Sequence, residues 1–273
     1  MALITLTSDF GTQDFLAGAI KGMLLQHDPQ CQLIDITHDI HPFNYPQAAY
    51  ICRNAFQHFP AGSYHLVLVN LFEKKPDQLL LAYHQQQYIL CADNGLLTMI
   101  LEEKPEMLIG LPVSAANART TLQCVGIFSK AIQDVEAGRP LAQIGRPDPD
   151  FIEKIPFRPL VKDEYIEGQI IYIDNFENVV VNISRDQFEQ HRRGRAFSIV
   201  FKRNEVIDRI AETYADVPEG EKLALFNSAG YLEIAINKGN AAGLFGLQGY
   251  LEPSQSAYIQ NRLFYQTVKI FFQ

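Results

Sequence analysis

The first half of this chain is organised around one stretch, Leu6-Thr7-Ser8-Asp9-Phe10-Gly11-Thr12-Gln13-Asp14-Phe15. The apolar run 2–6 before it predicts a strand, and apolar residues at positions 15, 16, 19, 20, 23 and 24 have the spacing of a helix. Asp9 and Asp14 therefore follow the carboxyl end of a first strand, where open α/β sheets bind their ligands. Two carboxylates there suit ligand hydroxyls or an ammonium group better than a phosphate. Alternatively, either aspartate caps the helix by accepting backbone N–H bonds.

The composition is that of an ordinary soluble globular protein, with 47% hydrophobic and 20% charged residues in 273. No apolar run approaches the roughly 20 residues of a membrane helix, and no basic segment precedes the first apolar residues, so we expect neither membrane association nor a signal peptide. The net charge of −8 argues against nucleic-acid binding. The cysteines are scattered without CxxC spacing, which predicts no zinc site, no disulfide framework and a cytoplasmic location.

The pattern of predicted secondary structure changes at a proline-rich stretch, 140–159. Before it, strand-like runs (31–36, 65–70, 79–83 and 88–91) alternate with helical patterns (13–27, 46–58 and 125–138). After it, strand patterns dominate, at 169–174, 179–183, 197–201, 222–226, 231–236 and 267–272. We therefore predict an α/β domain with a mainly parallel central sheet over residues 1–160. An all-β, barrel-like domain should follow over residues 161–273.

Several further segments carry more polar residues than a core needs. Asp93-Asn94-Gly95 follows a strand and is typical, first of all, of a turn. Asn178 and Asn182 flank a polar loop, either as turn residues or as amides presented to a flat heterocycle. The small residues of Gly239-Asn240-Ala241-Ala242 would let a ligand ring approach the backbone closely.

These segments belong to a longer series of motifs along the chain: Thr7-Ser8-Asp9-Phe10-Gly11 with Asp14, Lys21-Gly22, Asp35-Ile36-Thr37-His38, Asp93-Asn94-Gly95, Asp174-Asn175-Phe176-Glu177-Asn178, Asn227-Ser228, Glu233-Ile234-Ala235 and Gly239-Asn240-Ala241-Ala242. In their order and spacing, these motifs resemble the S-adenosylmethionine (SAM) hydroxide adenosyltransferase family, relatives of the fluorinase and chlorinase. The resemblance covers nearly the whole chain.

The resemblance implies a fold, an assembly and a reaction. The fold is an N-terminal α/β domain with a C-terminal β-barrel, and the assembly is a homotrimer that binds its ligand between neighbouring subunits. In the reaction, water or hydroxide displaces methionine from C5′ of SAM and gives adenosine and L-methionine. SAM, adenosine and methionine are thus the expected small-molecule ligands, and no metal or redox cofactor is implied.

The resemblance also assigns ligand contacts. They are Asp9 for the ribose hydroxyls; Asp14, Asp174 and Ser228 for the methionine ammonium and carboxylate; and Phe176 and Asn178, with the backbone near Ala241 and Ala242, for adenine. The chemistry of these residue types fits, because carboxylates accept charge-assisted bonds from an ammonium or a diol. An asparagine amide can both donate and accept along a purine edge.

The water-activating positions depart from the family pattern. Hydrolytic members carry an Asp, an Arg seven residues later and a His in the next polar segment, and Asn70, Asp77 and Gln123 stand at these positions. Asn70 and Gln123 can hydrogen-bond a water but cannot act as a base near neutral pH. Asp77 reverses the charge of the Arg. The hypothesis is therefore retained binding of an adenosyl ligand with weak or absent hydrolysis.

Other residues on the altered strand and loop could replace the missing groups: His65, Glu73, Lys74, Lys75 and His84. A lone histidine is more often a core or surface residue, and Glu73 with the two lysines is typical of a solvated loop. Three functions stay open: a SAM hydrolase with an altered water-activating group, a non-catalytic SAM- or adenosine-binding protein, and a structural trimer with a vestigial pocket. The retained polar motifs favour the first two, because buried polar groups cost stability unless they are satisfied. No sequence feature indicates a halide pocket.

Overall fold

The computed structural model describes residues 2–113, 119–202, 205–248 and 267–273. The chain divides into two compact units, Met1–Pro156 and Phe157–Gln273, and the division lies within the proline-rich stretch. The first unit is α/β and the second is built from antiparallel strands. This confirms the predicted fold class.

In the described part of the N-terminal unit, the strands form one seven-stranded sheet. They are β1 (Leu3–Ser8), β2 (Gln32–Thr37), β3 (Tyr64–Leu68), β4 (Gln78–His84), β5 (Gln87–Ala92), β6 (Met107–Pro112) and β7 (Arg146–Pro147), in the order β2-β1-β3-β5-β4-β6-β7. β4 and β7 are antiparallel to their neighbours, and the other strands share one direction. The carboxyl ends of β1, β2, β3, β5 and β6 therefore meet the start of β4 at one edge, called here the carboxyl edge.

Helices cover both faces of this sheet. They are α1 (Leu16–His27), α2 (Tyr45–Phe56), α3 (Leu96–Leu101) and α4 (Thr121–Glu136), with a short 3₁₀ turn at Leu141–Gln143. On one face, Leu66 packs in an apolar cluster with Ile20 of α1 and Phe128 of α4. On the other face, Phe56 of α2 stacks on His65 with ring centroids 3.8 Å apart. Every residue of β3 is buried as a result. The run Leu66-Val67-Leu68-Val69 is apolar on both faces, which predicts such a central strand.

The C-terminal unit is an antiparallel sheet that curls into a nearly closed barrel. Its described strands are β8 (Leu160–Val161), β9 (Tyr165–Ile173), β10 (Val179–Ser184), β11 (Phe197–Lys202), β12 (Glu205–Ile207), β13 (Lys222–Phe226), β14 (Tyr231–Ile236) and β15 (Thr267–Phe272). The order is β12-β11-β15-β9-β10-β14-β13, with β8 beside β9. Lys222 on one edge strand donates to Glu205 on the other at 2.6 Å, so the two edges approach each other.

Two short helices accompany the barrel, α5 (Arg185–Arg192) and α6 (Ala241–Phe245). The periodicity of the sequence does not predict α5. Its start carries a capping box, in which Ser184 and Gln187 each accept a bond from the other's backbone N–H. Phe188 is fully buried, with its ring centroid 5.0 Å from that of Phe197. The Ser-x-x-Gln spacing was the available signal for this helix.

Among the described residues, no helix is both long and apolar enough to cross a membrane.

All four cysteines are buried and unpaired. Burial raises the pKa of the Cys52 thiol to about 12 and that of Cys124 to about 11.

Candidate functional site

The carboxyl edge of the N-terminal sheet gathers the polar residues that the sequence singled out. Asp9 follows β1, Asn70 follows β3 and Asp77 precedes β4, while Gln123 lies in the first turn of α4, the helix after β6. The topology thus places the three altered family positions at the same edge as Asp9. Residues 114–118, between β6 and α4, lie outside the described ranges.

Asp9 is bonded to the altered position itself. The backbone N–H of Asn70 donates to Asp9 Oδ2 at 2.9 Å. Burial raises the pKa of the Asp9 carboxyl above its ordinary value, although bonds from backbone N–H groups, including those of Asn70 and Phe43, act in the opposite direction. Asp9 therefore does not cap α1, and its carboxylate joins the ends of β1 and β3.

Asn70 continues into a network that the sequence did not reveal. Asn70 Nδ2 donates to the hydroxyl of Tyr45 at 2.8 Å, and that hydroxyl donates to Glu73 Oε2 at 2.9 Å. Lys154 Nζ donates to Glu73 Oε1 at 2.9 Å and lies 3.6 Å from the centroid of the Tyr45 ring. These four residues are called here the Lys154–Asn70 network. Glu73, Lys74 and Lys75 are exposed, as expected for a solvated loop, but Glu73 also bonds Tyr45, which is 3% exposed.

The Asp93-Asn94-Gly95 segment is a turn and also a brace. Gly95 has a φ of +88° and α3 starts directly after it. The buried Asn94 amide donates to the carbonyl oxygens of Val69 and Asn70, both at 3.0 Å. Asp93 accepts from Ile152 N at 2.7 Å. The Asn94 side chain thus binds the end of β3, and the Asp93 side chain binds the segment around residue 152. A simple turn would require neither contact.

The other predicted N-terminal positions have more local contacts. Asp14 is exposed, and its Oδ1 accepts the backbone N–H of Leu16, the first residue of α1, at 2.8 Å, although the N-cap position itself is Phe15. Asp77 is exposed and lies 3.6 Å from Lys74 Nζ. Gln123 Oε1 accepts from Arg119 N at 2.8 Å.

A serine, a histidine and an aspartate form a further cluster at this edge. Ser8 Oγ lies 2.7 Å from His38 Nδ1, His38 Nε2 lies 3.2 Å from Asp35 Oδ1, and Lys21 donates to Asp35 Oδ2 at 2.5 Å. Burial opposes ionisation of Asp35, but the bonds from Lys21 and His38 outweigh it and lower the pKa. Ser8 is fully buried and His38 is 4% exposed. The cluster therefore supports the loop after β1 and does not form a nucleophilic triad open to a substrate.

Neither candidate histidine lies at the carboxyl edge. His65 is fully buried inside the sheet, 2.8 Å from Thr5 Oγ1, and burial lowers its pKa to about 4. His84 ends β4 at the opposite edge and lies 3.1 Å from Glu103. Neither is placed to replace the missing water-activating groups.

In the C-terminal unit, the loop between β9 and β10 is ordered by its own aspartate. Asp174 Oδ1 accepts the backbone N–H groups of Phe176 and Asn178 at 2.9 and 2.8 Å. Asp174 Oδ2 accepts from Asn178 Nδ2 at 3.0 Å. Asn178 is buried, whereas the Phe176 ring is 74% exposed. The loop thus holds a carboxylate and an amide together and presents an aromatic face to solvent.

The small residues predicted beside adenine lie against this loop. Ala242 N donates to Glu177 O at 2.9 Å, and Ala241 and Ala242, in the first turn of α6, are both buried. Ser228 lies apart on the exposed turn between β13 and β14, which meets the far end of β10 through a bond from Arg185 N to Gly230 O at 2.8 Å.

A buried carboxylate that had no assigned role lies on β14. Glu233 is 3% exposed and accepts from the hydroxyl of Tyr214 at 2.6 Å. Burial raises its pKa, the Asp174 charge raises it further, and bonds to Tyr214 and Asn227 oppose the rise. The charge of Asp174 therefore acts on the Glu233 carboxyl, which also bonds Asn227, the neighbour of Ser228. Its motif was visible in the sequence, but its partner Tyr214 was not.

In the described ranges, no group of three or more histidine, cysteine, aspartate or glutamate side chains could hold a metal ion.

Comparison with protein families decides the lineage. Residues 4–145 match the model of the SAM hydroxide adenosyltransferase N-terminal domain, and residues 168–250 match that of the C-terminal domain. The chain belongs to the SAM hydroxide adenosyltransferase family. The two matched ranges contain all the positions assigned above as ligand contacts.

Other members of the SAM hydroxide adenosyltransferase family are similar over nearly the full length. The (R)-S-adenosyl-L-methionine hydrolase of Methanocaldococcus jannaschii is 25% identical over 266 residues, covering 94% of this chain and 96% of its own. The protein of the same name from Thermus thermophilus is 28% identical over 253 residues, covering 88% and 94%. A fluorinase from Actinopolyspora mzabensis is 23% identical over 290 residues, covering 90% and 94%.

Solved structures share the family fold. The crystal structure of an uncharacterized conserved protein from Thermotoga maritima aligns with a TM-score of 0.78 at 23% identity, over 99% of this chain and all of the other. A conserved hypothetical protein from Thermus thermophilus aligns with a TM-score of 0.72 at 20% identity, over the whole of both chains.

Proposed function

We propose that this protein binds S-adenosyl-L-methionine and hydrolyses it slowly to adenosine and L-methionine. One observation carries the proposal: Asp9, assigned to the ribose hydroxyls, accepts the backbone N–H of Asn70, the residue at the water-activating position. A ribose held by Asp9 would thus have its C5′ within reach of a water on Asn70. The hydrolases from M. jannaschii and T. thermophilus, similar over 94% and 88% of this chain, support the same substrate.

The proposed reaction is a displacement at C5′. The water oxygen forms a bond to C5′, the C5′–S bond breaks, and its electron pair stays on sulfur, so that the sulfonium becomes the neutral thioether of methionine. The water loses one proton to solvent. Asn70 can orient the water but cannot take this proton. The rate should then depend on positioning and on the sulfonium leaving group, which is why we propose slow turnover.

The remaining contacts are proposed from the family resemblance. Asp14, Asp174 and Ser228 would bind the amino-acid part of the ligand through charge-assisted bonds. The exposed ring of Phe176 would stack on adenine, with the Asn178 amide and the backbone of Ala241 and Ala242 at the purine edge.

Assembly and location are also part of this proposal. We propose that three copies assemble and that the ligand lies between neighbouring subunits. Four reduced, buried cysteines suit the cytoplasm. The proposed chemistry requires no metal or redox cofactor.

A non-catalytic SAM- or adenosine-binding protein is the second candidate. The observation that favours it is the hydrogen bonding of Asn70, whose N–H, carbonyl oxygen and side-chain amide all have partners within the protein. A residue fixed in this way could line a pocket without activating water.

The deciding experiment measures release of adenosine and methionine from SAM at high protein concentration, corrected for spontaneous breakdown, together with calorimetric affinities for SAM and adenosine. Stoichiometric release over many turnovers supports the hydrolase. Binding without release supports the second candidate, and the absence of both contradicts the proposal.

Asp9→Ala tests the ribose assignment in the same assay. The affinity for adenosine should fall at least about fivefold, which corresponds to about 1 kcal/mol, the net contribution of a typical hydrogen bond. Asp28→Ala is the matched control, because Asp28 also accepts a backbone N–H, that of Gln30 at 3.0 Å, but lies beyond the other end of α1. An unchanged affinity in Asp9→Ala would defeat the assignment.

A further inference from the structure

The Lys154–Asn70 network has a fixed direction. An ionised glutamate only accepts hydrogen bonds, and a lysine ammonium only donates them. Glu73 is occupied on Oε1 by Lys154 at 2.9 Å and on Oε2 by Tyr45 at 2.9 Å. The single hydroxyl proton of Tyr45 must therefore point at Glu73.

This direction determines how the Asn70 amide is oriented. Tyr45 uses its hydroxyl proton in the hydrogen bond to Glu73. The Tyr45 oxygen, 2.8 Å from the Asn70 side chain, can therefore only accept a hydrogen bond from Asn70. Asn70 must turn its NH₂ group toward Tyr45 and its carbonyl oxygen away from it. Without Glu73, the Tyr45 hydroxyl could donate to Asn70 and the amide could flip.

The backbone of Asn70 leaves the side chain little other freedom. Asn70 has a φ of +46°, its N–H donates to Asp9 at 2.9 Å, and its carbonyl oxygen accepts from Asn94 at 3.0 Å. A left-handed residue bonded on both sides has a fixed direction for its Cα–Cβ bond. The orientation of the amide group is then the variable that the network controls.

Lys154 itself is anchored by its main chain. Lys154 N donates to Thr98 Oγ1, and the Thr98 hydroxyl lies 2.9 Å from Lys154 O. The Lys154 side chain passes so close to Gly95 that a Cβ at Gly95 would lie 2.5 Å from Lys154 Cγ. The cation that holds Glu73 in place thus belongs to a well-fixed segment.

We propose that Glu73 is a positioning residue which, through Tyr45, holds Asn70 Oδ1 as the acceptor for the attacking water at the carboxyl edge. The proposal rests on the proposed hydrolysis for its kinetic consequence. In this arrangement, the asparagine carbonyl oxygen would orient the water as one carboxylate oxygen could, although it cannot take the proton.

The kinetic test is a double-mutant cycle. Glu73→Gln, whose amide can donate or accept, and Tyr45→Phe, which cuts the network, should each lower kcat roughly tenfold, as expected for a misdirected water, with KM nearly unchanged. In an Asn70→Ala background, neither change should lower kcat further. Equal losses in both backgrounds would show that Glu73 acts independently of Asn70, and no loss in either would also overturn the proposal.

Glu102→Gln is the matched control. Glu102 pairs with Arg53 at 2.6 Å and its side chain is 39% exposed, against 36% for Glu73. This variant loses a comparable ion pair away from Asn70, so its kcat should match that of the wild type.

A second measurement does not depend on turnover. In protein labelled with ¹⁵N at asparagine, the side-chain NH₂ signal of Asn70 is identified by its loss in Asn70→Ala. Its exchange with solvent should be slow in the wild type and in Glu102→Gln, and at least severalfold faster in Glu73→Gln and Tyr45→Phe. If exchange is unchanged, the positioning role is wrong. If exchange changes but the wild type neither binds nor hydrolyses SAM, the positioning role stands and the proposed function fails.

Discussion

Two loops of this protein are held in opposite ways. The 70–78 loop of the N-terminal unit is bonded across the chain, since Asn70 bonds Tyr45 at a separation of 25 residues and Glu73 bonds Lys154 at a separation of 81. The 174–178 loop of the C-terminal unit is bonded mainly to itself, since Asp174 and Asn178 are four residues apart.

The difference shows for which loops the conformation can be inferred from the loop's own sequence motif when relatives are compared. A locally bonded loop such as 174–178 carries its own shape in its sequence. A loop bonded to distant elements takes its shape from residues outside the motif, so a substitution such as Asn70 has to be interpreted together with Tyr45, Glu73 and Lys154. The substitution at position 70 thus changes one corner of a larger network.

The largest expected effect comes from restoring the family residues at the 70–78 loop. Asn70→Asp, Asp77→Arg and Gln123→His together should raise adenosine release by about a hundredfold, the lower range for gaining a general base. An aspartate at position 70 would leave Tyr45 with one proton for two carboxylates, so adding Glu73→Gln should raise the rate further. Asp77→Arg alone is the control. No gain in any combination would mean that the loop backbone has also diverged.

The next effect concerns the self-bonded loop. Asp174→Ala removes the acceptor of three hydrogen bonds, and the affinity for SAM should fall by roughly 2 kcal/mol, or about thirtyfold. Calorimetry measures the affinity, and Asp208→Ala, at an exposed aspartate of the same unit, is the control. Retained affinity would show that the loop keeps its shape without Asp174 and would weaken the comparison.

A glycine pair tests the distant anchoring of the 70–78 loop. Gly95 and Gly62 have φ values of +88° and +83°, but a Cβ meets Lys154 at Gly95 and nothing within 4 Å at Gly62. Gly62→Ala should lower the free energy of unfolding by about 1 kcal/mol through backbone strain. Gly95→Ala should lower it by about 1–2 kcal/mol more through overpacking.

Chemical denaturation measures both glycine variants. Adding Lys154→Ala to Gly95→Ala should recover part of the excess loss, because it removes the two closest atoms. Equal losses at Gly62 and Gly95 would argue that residue 154 is not held against this turn.

The smallest effect is a pH dependence in the C-terminal unit. The pKa of Glu233 is raised above its ordinary value of 4.5, first by burial. For a carboxyl with a raised pKa, the ionised form destabilises the folded state at neutral pH, and this penalty disappears as the pH falls through the folded pKa. The melting temperature of Glu233→Gln minus that of the wild type should therefore decrease between pH 7 and pH 4. A constant difference would contradict the raised pKa.

Much of the fold could be predicted because its signals are local. The apolar run 66–69 predicts a central strand, and β3 is buried throughout. Helix α5 is not predicted by hydrophobic periodicity because it is short and mostly polar, although its Ser184–Gln187 capping box is a recognisable helix-start signal. At the candidate site, the sequence singled out Asp9 and Asn70 but did not predict that they contact each other, and Tyr45 and Lys154 carry no sequence signal that connects them to Asn70.

The sequence by itself determined the two-part architecture, the family and the set of polar residues at strand ends, because periodicity, turn residues and motif spacing are properties of neighbouring positions. The tertiary structure alone decided which of those residues touch. It showed that His65 is a core residue, that Glu73 bonds a buried tyrosine and that Asn70 is linked through Tyr45 and Glu73 to a lysine 84 positions away. The physical reason is that hydrogen bonds and burial depend on distance in space, which the order of residues along the chain does not specify.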